Sequence, residues 1–250
     1  MTARIRSVDY EHEGHALRGE LAWDDEWSEP RPCVVIVHDA MKSDQGFEHE
    51  RAVLLAGMGY AGFALDVYGA DIHASTNEEA FGLMQPFQSD RGLLQRRLLA
   101  GLAAAATQPE VDGDRLAAIG YCFGGMCVLD LARMNAPVKG VASFHGILET
   151  PAEDTPDRDE LLAGQIAPRV VVFHGWDDPY APPEAVSLFA REMSARGADW
   201  QLLAFGDTLH SFTNPSYSMP QDGVAYDEKA ATRSWRALGD FLEELFGETR

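Results

Sequence analysis

A cysteine set between glycines is the feature that most constrains the fold of this chain. Residues 120–125 read Gly-Tyr-Cys-Phe-Gly-Gly, and they join an apolar strand-like run, 115–119, directly to an apolar helix-like run, 126–132. A strand that turns sharply into a helix needs glycine on both sides of the tip, because the residue at the tip adopts a strained backbone conformation. The pattern is G-x-S-x-G with Cys122 in place of serine. It predicts that Cys122 is a nucleophile.

Cys122 has a second interpretation, as a small buried hydrophobic residue. That interpretation suits the other two cysteines, Cys33 and Cys127, which lie in apolar runs. The nucleophile is favoured at Cys122 because the predicted helix begins there, and its N-terminal dipole stabilises a thiolate. Three cysteines are an odd number and lack metal-ligand spacing, so they do not indicate a disulfide framework.

The charge of the chain limits its partners. Forty acidic residues against twenty basic ones give a formal net charge of −20. Such a charge argues against binding to nucleic acid or to an anionic membrane. No run of 18 apolar residues predicts a transmembrane helix, and the N-terminus lacks the apolar region of a secretory signal. We therefore expect a cytoplasmic protein, and the sequence leaves open whether it is a monomer or a small homo-oligomer.

Motifs that would hold a metal or a cofactor are not found in the sequence. The eight histidines lack the compact spacing of H-E-x-x-H. The glycines at 120–125 are not followed by the Lys-Ser/Thr of a phosphate-binding loop, and G-x-G-x-x-G is missing from the first strand–helix turn. We therefore expect neither a metal nor a cofactor.

Strand-like and helix-like segments alternate along most of the chain. Residues 34–37 and 170–173 are continuously apolar, as are strands buried on both faces of a parallel sheet. Residues 4–10 and 15–22 alternate between polar and apolar side chains and predict a hairpin. The pattern predicts an α/β fold with a mostly parallel central sheet, an N-terminal antiparallel hairpin and helices on both faces. The length suits a single domain over residues 1–250.

Polar side chains follow the predicted strands, where ligands bind in such sheets. A nucleophilic hydrolase needs a base beside its nucleophile and an acid that orients the base. Cys122, Asp178 and His210 follow the chain order of an α/β-hydrolase triad. His145 and His174 are more simply explained as strand-end residues that satisfy buried backbone groups. The residues at the strand ends are Asp39, Cys122, His145, the pair Asp177-Asp178, and His210.

The segments around these residues resemble the dienelactone hydrolase family. The three that look like the family's triad segments are 120–125, 173–182 (Phe-His-Gly-Trp-Asp-Asp-Pro-Tyr-Ala-Pro) and 209–212 (Leu-His-Ser-Phe). Residues 64–69 (Ala-Leu-Asp-Val-Tyr-Gly) and 143–146 (Ser-Phe-His-Gly) look like further segments. The resemblance therefore extends from about residue 33 to 245. It implies an α/β-hydrolase fold and the hydrolysis of an ester or lactone through a cysteine nucleophile.

The resemblance also implies roles for individual residues. Asp178 matches the family's acid, and Asp177 is the alternative. In the family, a glutamate after the first buried strand contacts the resting cysteine and helps to generate the thiolate. Asp39 stands at that position and is one methylene shorter. The backbone N–H groups of Phe123 and Ala40 would form the oxyanion hole.

The sequence departs from the family in the residues that bind the substrate. Two arginines hold the substrate carboxylate in the dienelactone-degrading members, and their positions align with Asn77 and Asn214. A nearby tyrosine aligns with Phe81. Because an amide carries no charge, it cannot replace a guanidinium in carboxylate recognition. We therefore expect a neutral short-chain ester rather than a small carboxylated dienelactone, with Arg91 or Lys42 as the remaining cations for a carboxylate.

Two other functions stay open at this point. One is a true carboxymethylenebutenolidase that acts on dienelactone, and the other is a non-catalytic relative that binds a ligand or senses redox state. The intact set of Cys122, Asp178 and His210 argues against the non-catalytic relative. The expected partner is a small-molecule ester or lactone.

Overall fold

A large sheet forms the centre of the protein, which we describe from a computed structural model. The structure describes residues 3–42, 46–153, 155 and 158–247, so both ends of the predicted domain lie outside the described residues. The sheet has the order β1-β2-β4-β3-β5-β6-β7-β8. Its strands are β1 (Ala3–His12), β2 (His15–Asp24), β3 (Arg31–Val37), β4 (Ala61–Leu65), β5 (Val111–Tyr121), β6 (Gly140–Phe144), β7 (Arg169–Gly175) and β8 (Trp200–Phe205).

The predicted strand directions are confirmed. β1 and β2 form an antiparallel hairpin, and β2 also pairs antiparallel with β4. From β4 onward, every neighbouring pair in the sheet is parallel. The carboxyl ends of β3 and of β5 to β8 therefore lie along one edge, and the polar strand-end residues are gathered there.

Helices cover both faces of the sheet, as the alternating pattern predicts. Val35 contributes to one hydrophobic core together with Leu98, whereas its neighbour Ile36 contributes to the other core with Leu238. This division follows from the strand period of two, which points successive side chains to opposite faces. The helices are α1 (Phe47–Gly57), α2 (Asn77–Ser89), α3 (Arg91–Ala106), α4 (Phe123–Arg133), α5 (Arg158–Leu161), α6 (Pro183–Ala195) and α7 (Glu228–Phe246). Across the described ranges, none of these helices is long and apolar enough to cross a membrane.

A small hairpin after residue 210 is not predicted by the sequence pattern. β9 (Ser218–Met219) and β10 (Val224–Ala225) pair antiparallel on either side of a 3-10 helix, Pro220–Asp222. Two-residue strands are too short to give an alternating pattern. The backbone of the hairpin is bonded to the segment that follows β8, because the His210 N–H donates to the Gly223 carbonyl at 2.9 Å.

A buried ion network fixes α4 between its neighbours α3 and α6. Asp130 on α4 is fully buried and accepts two hydrogen bonds from Arg91 on α3, at 2.6 and 2.7 Å. Arg133 joins Asp130 to Glu192 on α6, at 3.1 and 2.8 Å. Burial opposes the charge on Asp130, but the two arginines prevail and lower its pKa. The two arginines therefore favour the ionised carboxylate of Asp130, and the network joins α4 to both of its neighbours.

Removing Asp130 should destabilise the protein strongly. Asp130→Ala leaves Arg91 buried without a carboxylate and Arg133 with Glu192 alone, and breaking a buried pair in this way costs about 3–5 kcal/mol. Chemical denaturation measures the loss as a change in the free energy of unfolding. The control is Asp25→Ala, which removes an exposed partner of Arg4 and should cost less than about 1 kcal/mol. Equal losses in the two variants would contradict this account of the network.

Candidate active site

The turn at Cys122 has the geometry that the glycine pattern predicts. β5 ends at Tyr121, α4 begins at Phe123, and Cys122 between them has φ 55° and ψ −113°. A positive φ strains a residue that carries a Cβ atom, so the surrounding packing must hold Cys122 in place. Glycine is required two residues before Cys122, because a Cβ atom at Gly120 would overlap the backbone of Gly124. The side chain at the tip of this turn is half-buried.

His210 and Asp178 form a buried pair at the same edge of the sheet. His210 Nδ1 lies 2.7 Å from Asp178 Oδ2, and the two residues are 4% and 2% exposed. The other carboxylate oxygen of Asp178 accepts the backbone N–H of Tyr180 at 2.8 Å. Asp177 is exposed, and its backbone N–H is bonded to the Thr208 carbonyl. Of the two neighbouring aspartates, the geometry brings Asp178 to the histidine.

The protonation of His210 depends on the groups on either side of it. Burial opposes a positive charge on the ring, but the negative charge of Cys122 and hydrogen bonds to Asp178 and Cys122 outweigh burial. Together they raise the pKa of His210 to about 10. The imidazole therefore holds its proton at neutral pH, between the Asp178 carboxylate and the sulfur of Cys122.

The residues expected to supply the oxyanion hole lie on either side of the nucleophile. Phe123 is the first residue of α4, and the first N–H groups of a helix have no partner within it. Ala40 follows β3 and lines the same cavity as Cys122. Its carbonyl accepts a hydrogen bond from the Tyr68 hydroxyl at 3.1 Å.

Asp39 lines the cavity, but its carboxylate is engaged by other groups. Oδ1 accepts the backbone N–H groups of Met41 and Lys42, at 2.9 and 3.1 Å. Oδ2 accepts the hydroxyl of Tyr217 at 2.8 Å. Both oxygens thus accept hydrogen bonds from groups other than the thiol of Cys122.

A cavity of about 110 Å³ brings most of the predicted site residues together. It contains Cys122 and His210, and Asn77 and Phe81 of α2 form part of its wall. Asn214 lies outside this wall, because its Oδ1 accepts the Ser216 N–H at 3.0 Å and closes a local turn. The apolar wall of the cavity is completed by Met41, Ala80, Met84, Ile147, Met219 and Val224.

The described lining of the cavity carries no lysine or arginine. Lys42, considered above as an alternative cation, pairs with Asp66 at 2.6 Å. Arg91 is held in the buried network with Asp130. The acidic groups of the lining are Asp39 and Asp222. No metal-binding group of three histidine, cysteine, aspartate or glutamate side chains occurs within the described ranges.

Several contacts of the site have no signal in the sequence. Tyr180 packs its ring 4.8 Å from that of His210, and Tyr217 reaches Asp39 from the segment that follows His210. His145 lies behind His210 at 5.2 Å, and its Nε2 is bonded to the Thr213 hydroxyl. Burial, with the positive charge of His210, lowers the pKa of His145, so this ring stays neutral. Its position at the end of β6 was predicted, but its contact with His210 was not.

Comparisons with known proteins agree with the geometry. The sequence model of the dienelactone hydrolase family matches residues 18–246. The chain is similar to a protein of Caenorhabditis elegans described as uncharacterised, with 42% identity over 161 residues, 63% of this chain and 98% of the relative. It is also similar to the crystal structure of a dienelactone hydrolase-like promiscuous phosphotriesterase from metagenomic libraries. The identity is 38%, with 99% of this chain and 100% of that chain covered, at a TM-score of 0.87.

A more distant solved structure shares the fold. The dienelactone hydrolase of Anabaena variabilis is 16% identical and has a TM-score of 0.68, with 98% of this chain and 100% of that chain covered. Together with the family match and the 38% identical structure, this likeness identifies the fold as α/β-hydrolase-like.

Removing the sulfur of Cys122 should lower the pKa of His210. In Cys122→Ser the negative neighbour of the imidazole is lost, so the pKa should fall from about 10 by at least one unit. Titration of the imidazole nitrogens by NMR measures the change. Cys33→Ala is the control, since Cys33 is a fully buried cysteine that does not act on His210. An unchanged pKa in Cys122→Ser would show that the thiolate is not its cause.

Proposed function

Since the chain belongs to the dienelactone hydrolase family, we propose that it hydrolyses neutral esters or lactones with Cys122 as the nucleophile. The observation that carries the proposal is the buried pair of His210 and Asp178, 2.7 Å apart, beside a cysteine in a strained strand–helix turn. A nucleophile, a base and an acid that orients the base are the parts that acyl transfer needs.

The proposed reaction begins with attack of the Cys122 sulfur on the ester carbonyl. The carbonyl oxygen becomes an oxyanion, which accepts the backbone N–H groups of Phe123 and Ala40. His210, which holds a proton at rest, donates it to the departing alkoxide as the carbon–oxygen bond breaks. The products of this step are an alcohol and an acyl group bound as a thioester to Cys122.

Water completes the proposed cycle. His210 is neutral after acylation and accepts a proton from the water that attacks the thioester. Collapse of the second oxyanion breaks the carbon–sulfur bond, which releases the carboxylic acid and returns the thiolate beside the protonated imidazole. Asp178 keeps the imidazole in one orientation through both steps, because it accepts the Nδ1 proton at 2.7 Å.

The cavity supports a small, neutral substrate. Its volume of about 110 Å³ is below the roughly 300–1,000 Å³ typical of sites for drug-sized ligands. Its wall is largely apolar, and 55% of Phe81 is exposed at its rim. A carboxylated dienelactone would find no lysine or arginine in the described lining, whereas a short acyl or aryl group would bury apolar surface there. We propose a cytoplasmic location and a small-molecule substrate as the sequence suggests.

Substitution of the acid tests the proposed triad. Asp178→Asn should lower kcat on a neutral aryl ester by at least about a hundredfold, because an amide does not hold His210 in the required tautomer. Asp177→Asn is the matched control on the neighbouring exposed residue, and it should cost less than about tenfold. Steady-state kinetics on 4-nitrophenyl acetate measures both. A larger loss in Asp177→Asn would reverse the assignment, and full activity of Cys122→Ala would refute the cysteine mechanism.

An arginine in the cavity should change the substrate preference. Asn77 lines the cavity and Asn214 does not, so Asn77→Arg should raise kcat/KM for a carboxylated dienelactone relative to a neutral ester, by about tenfold or more. Asn214→Arg is the control, and it should leave the ratio of the two kcat/KM values within about twofold. Efficient turnover of the carboxylated dienelactone by the unmodified protein would contradict the proposed preference.

A further inference from the structure

The peptide that joins Asp39 to Ala40 is oriented by the histidine before it. Nε2 of His38 accepts the backbone N–H of Val67 at 3.2 Å, so the proton of the ring is on Nδ1. Nδ1–H then donates to the carbonyl of Asp39 at 2.7 Å. Burial lowers the pKa of His38 to about 4, so the neutral ring keeps these two roles at physiological pH.

This contact determines where the N–H of Ala40 points. In a trans peptide, the carbonyl of one residue and the N–H of the next lie on opposite sides of the chain. Because the carbonyl of Asp39 faces His38, the N–H of Ala40 faces away from His38. In the triad mechanism, that N–H is one of the two oxyanion donors.

The side chain of Asp39 also holds the loop that follows β3, residues 38–42. Oδ1 accepts the N–H groups of Met41 and Lys42, which bends the chain just after Ala40. Oδ2 accepts the hydroxyl of Tyr217 at 2.8 Å, across 178 positions of sequence. Burial and the charge of Asp39 raise the pKa of Tyr217, so the phenol keeps its proton and remains the donor.

Tyr217 connects this loop to the segment that carries the base. The N–H of Tyr226 donates to the carbonyl of Tyr217 at 3.0 Å, and the N–H of Ala225 donates to the carbonyl of His210 at 3.1 Å. The hydroxyl of Tyr217 therefore joins the loop of Ala40 to the hairpin of β9 and β10, which is itself bonded to His210.

We propose that Tyr217 is a positioning residue that holds the Asp39–Ala40 peptide in place as an oxyanion donor. Asp39 then accepts the hydrogen bond from the Tyr217 hydroxyl and shapes the loop, rather than removing a proton from Cys122. The inference rests on the proposed cysteine mechanism, since it concerns the oxyanion of that reaction. Removing an oxyanion donor costs about 10²–10³ in kcat, so a displaced Ala40 should cost about tenfold or more.

Two reactions of Cys122 separate positioning of the oxyanion donor from activation of the thiol. Ester hydrolysis builds negative charge on a carbonyl oxygen and needs the N–H of Ala40. Alkylation by iodoacetamide forms a carbon–sulfur bond and expels iodide, without any oxyanion. Cys33 and Cys127 are fully buried, so the rate of alkylation, followed by intact mass, reports on Cys122.

Tyr217→Phe should lower kcat on 4-nitrophenyl acetate by about tenfold or more, and change the alkylation rate by less than about twofold. Tyr226→Phe is the matched control, because it removes a hydroxyl from a residue of the same segment that is 38% exposed and outside the cavity wall. In Tyr226→Phe, the rates of hydrolysis and of alkylation should both stay within about twofold of those of the unmodified protein. Circular dichroism checks that the variants remain folded.

Substitutions at Asp39 provide a second measurement. An asparagine keeps Oδ1 as an acceptor for Met41 and Lys42 but cannot take a proton from a thiol. Asp39→Asn should therefore retain the alkylation rate and exceed Asp39→Ala in ester turnover by about tenfold. A parallel fall of alkylation and hydrolysis in Tyr217→Phe or in Asp39→Asn would overturn the inference and make Asp39 an activator of Cys122.

Unchanged hydrolysis in Tyr217→Phe would overturn the inference as well, and would leave the proposed function intact. A failure of the proposed function has a different signature. In that case the unmodified protein would hydrolyse no ester, or its hydrolysis would survive complete alkylation of Cys122.

Discussion

Close packing of backbone against backbone at the Cys122 turn is the constraint on which the site depends. A Cβ atom at Gly124 would lie 2.6 Å from the carbonyl oxygen of His38, and one at Gly125 would lie 2.6 Å from the Cα of Gly146. Without side chains at these positions, the start of α4 rests directly on the ends of β3 and β6. The first N–H groups of the helix and the loop after β3 are therefore brought to the same small cavity.

Electrostatics within the site follow from burial. His210 has almost no contact with water, so the charges of Asp178 and Cys122 act on it with little screening. The neighbouring His145 is buried as well, but it lacks an anionic partner and stays neutral. Two histidine rings 5.2 Å apart thus differ in charge, because only His210 has Asp178 and Cys122 beside it.

The secondary structure and the nucleophile turn follow from local patterns in the sequence. Apolar runs of four or five residues predict the parallel strands, since such runs suit a sheet covered on both faces, and the structure agrees with them in β3 and β7. The glycines around Cys122 predict a sharp strand–helix turn through backbone sterics alone. The polar residues at the strand ends indicate Asp178 and His210, and a resemblance to a known family supports both, because whole segments match and not single residues.

Tertiary structure decided which polar groups meet. Asp177 and Asp178 are adjacent in sequence; the resemblance favours Asp178, and the buried contact with His210 is made by that residue. Asn214 closes a turn outside the cavity, whereas Tyr217, three residues later, reaches Asp39 from the opposite part of the chain. Short-range sterics and the spacing of hydrophobic residues along the chain determine strands, helices and tight turns, so the sequence by itself reveals them. Contacts between distant loops depend on how those elements pack, and no local pattern records them.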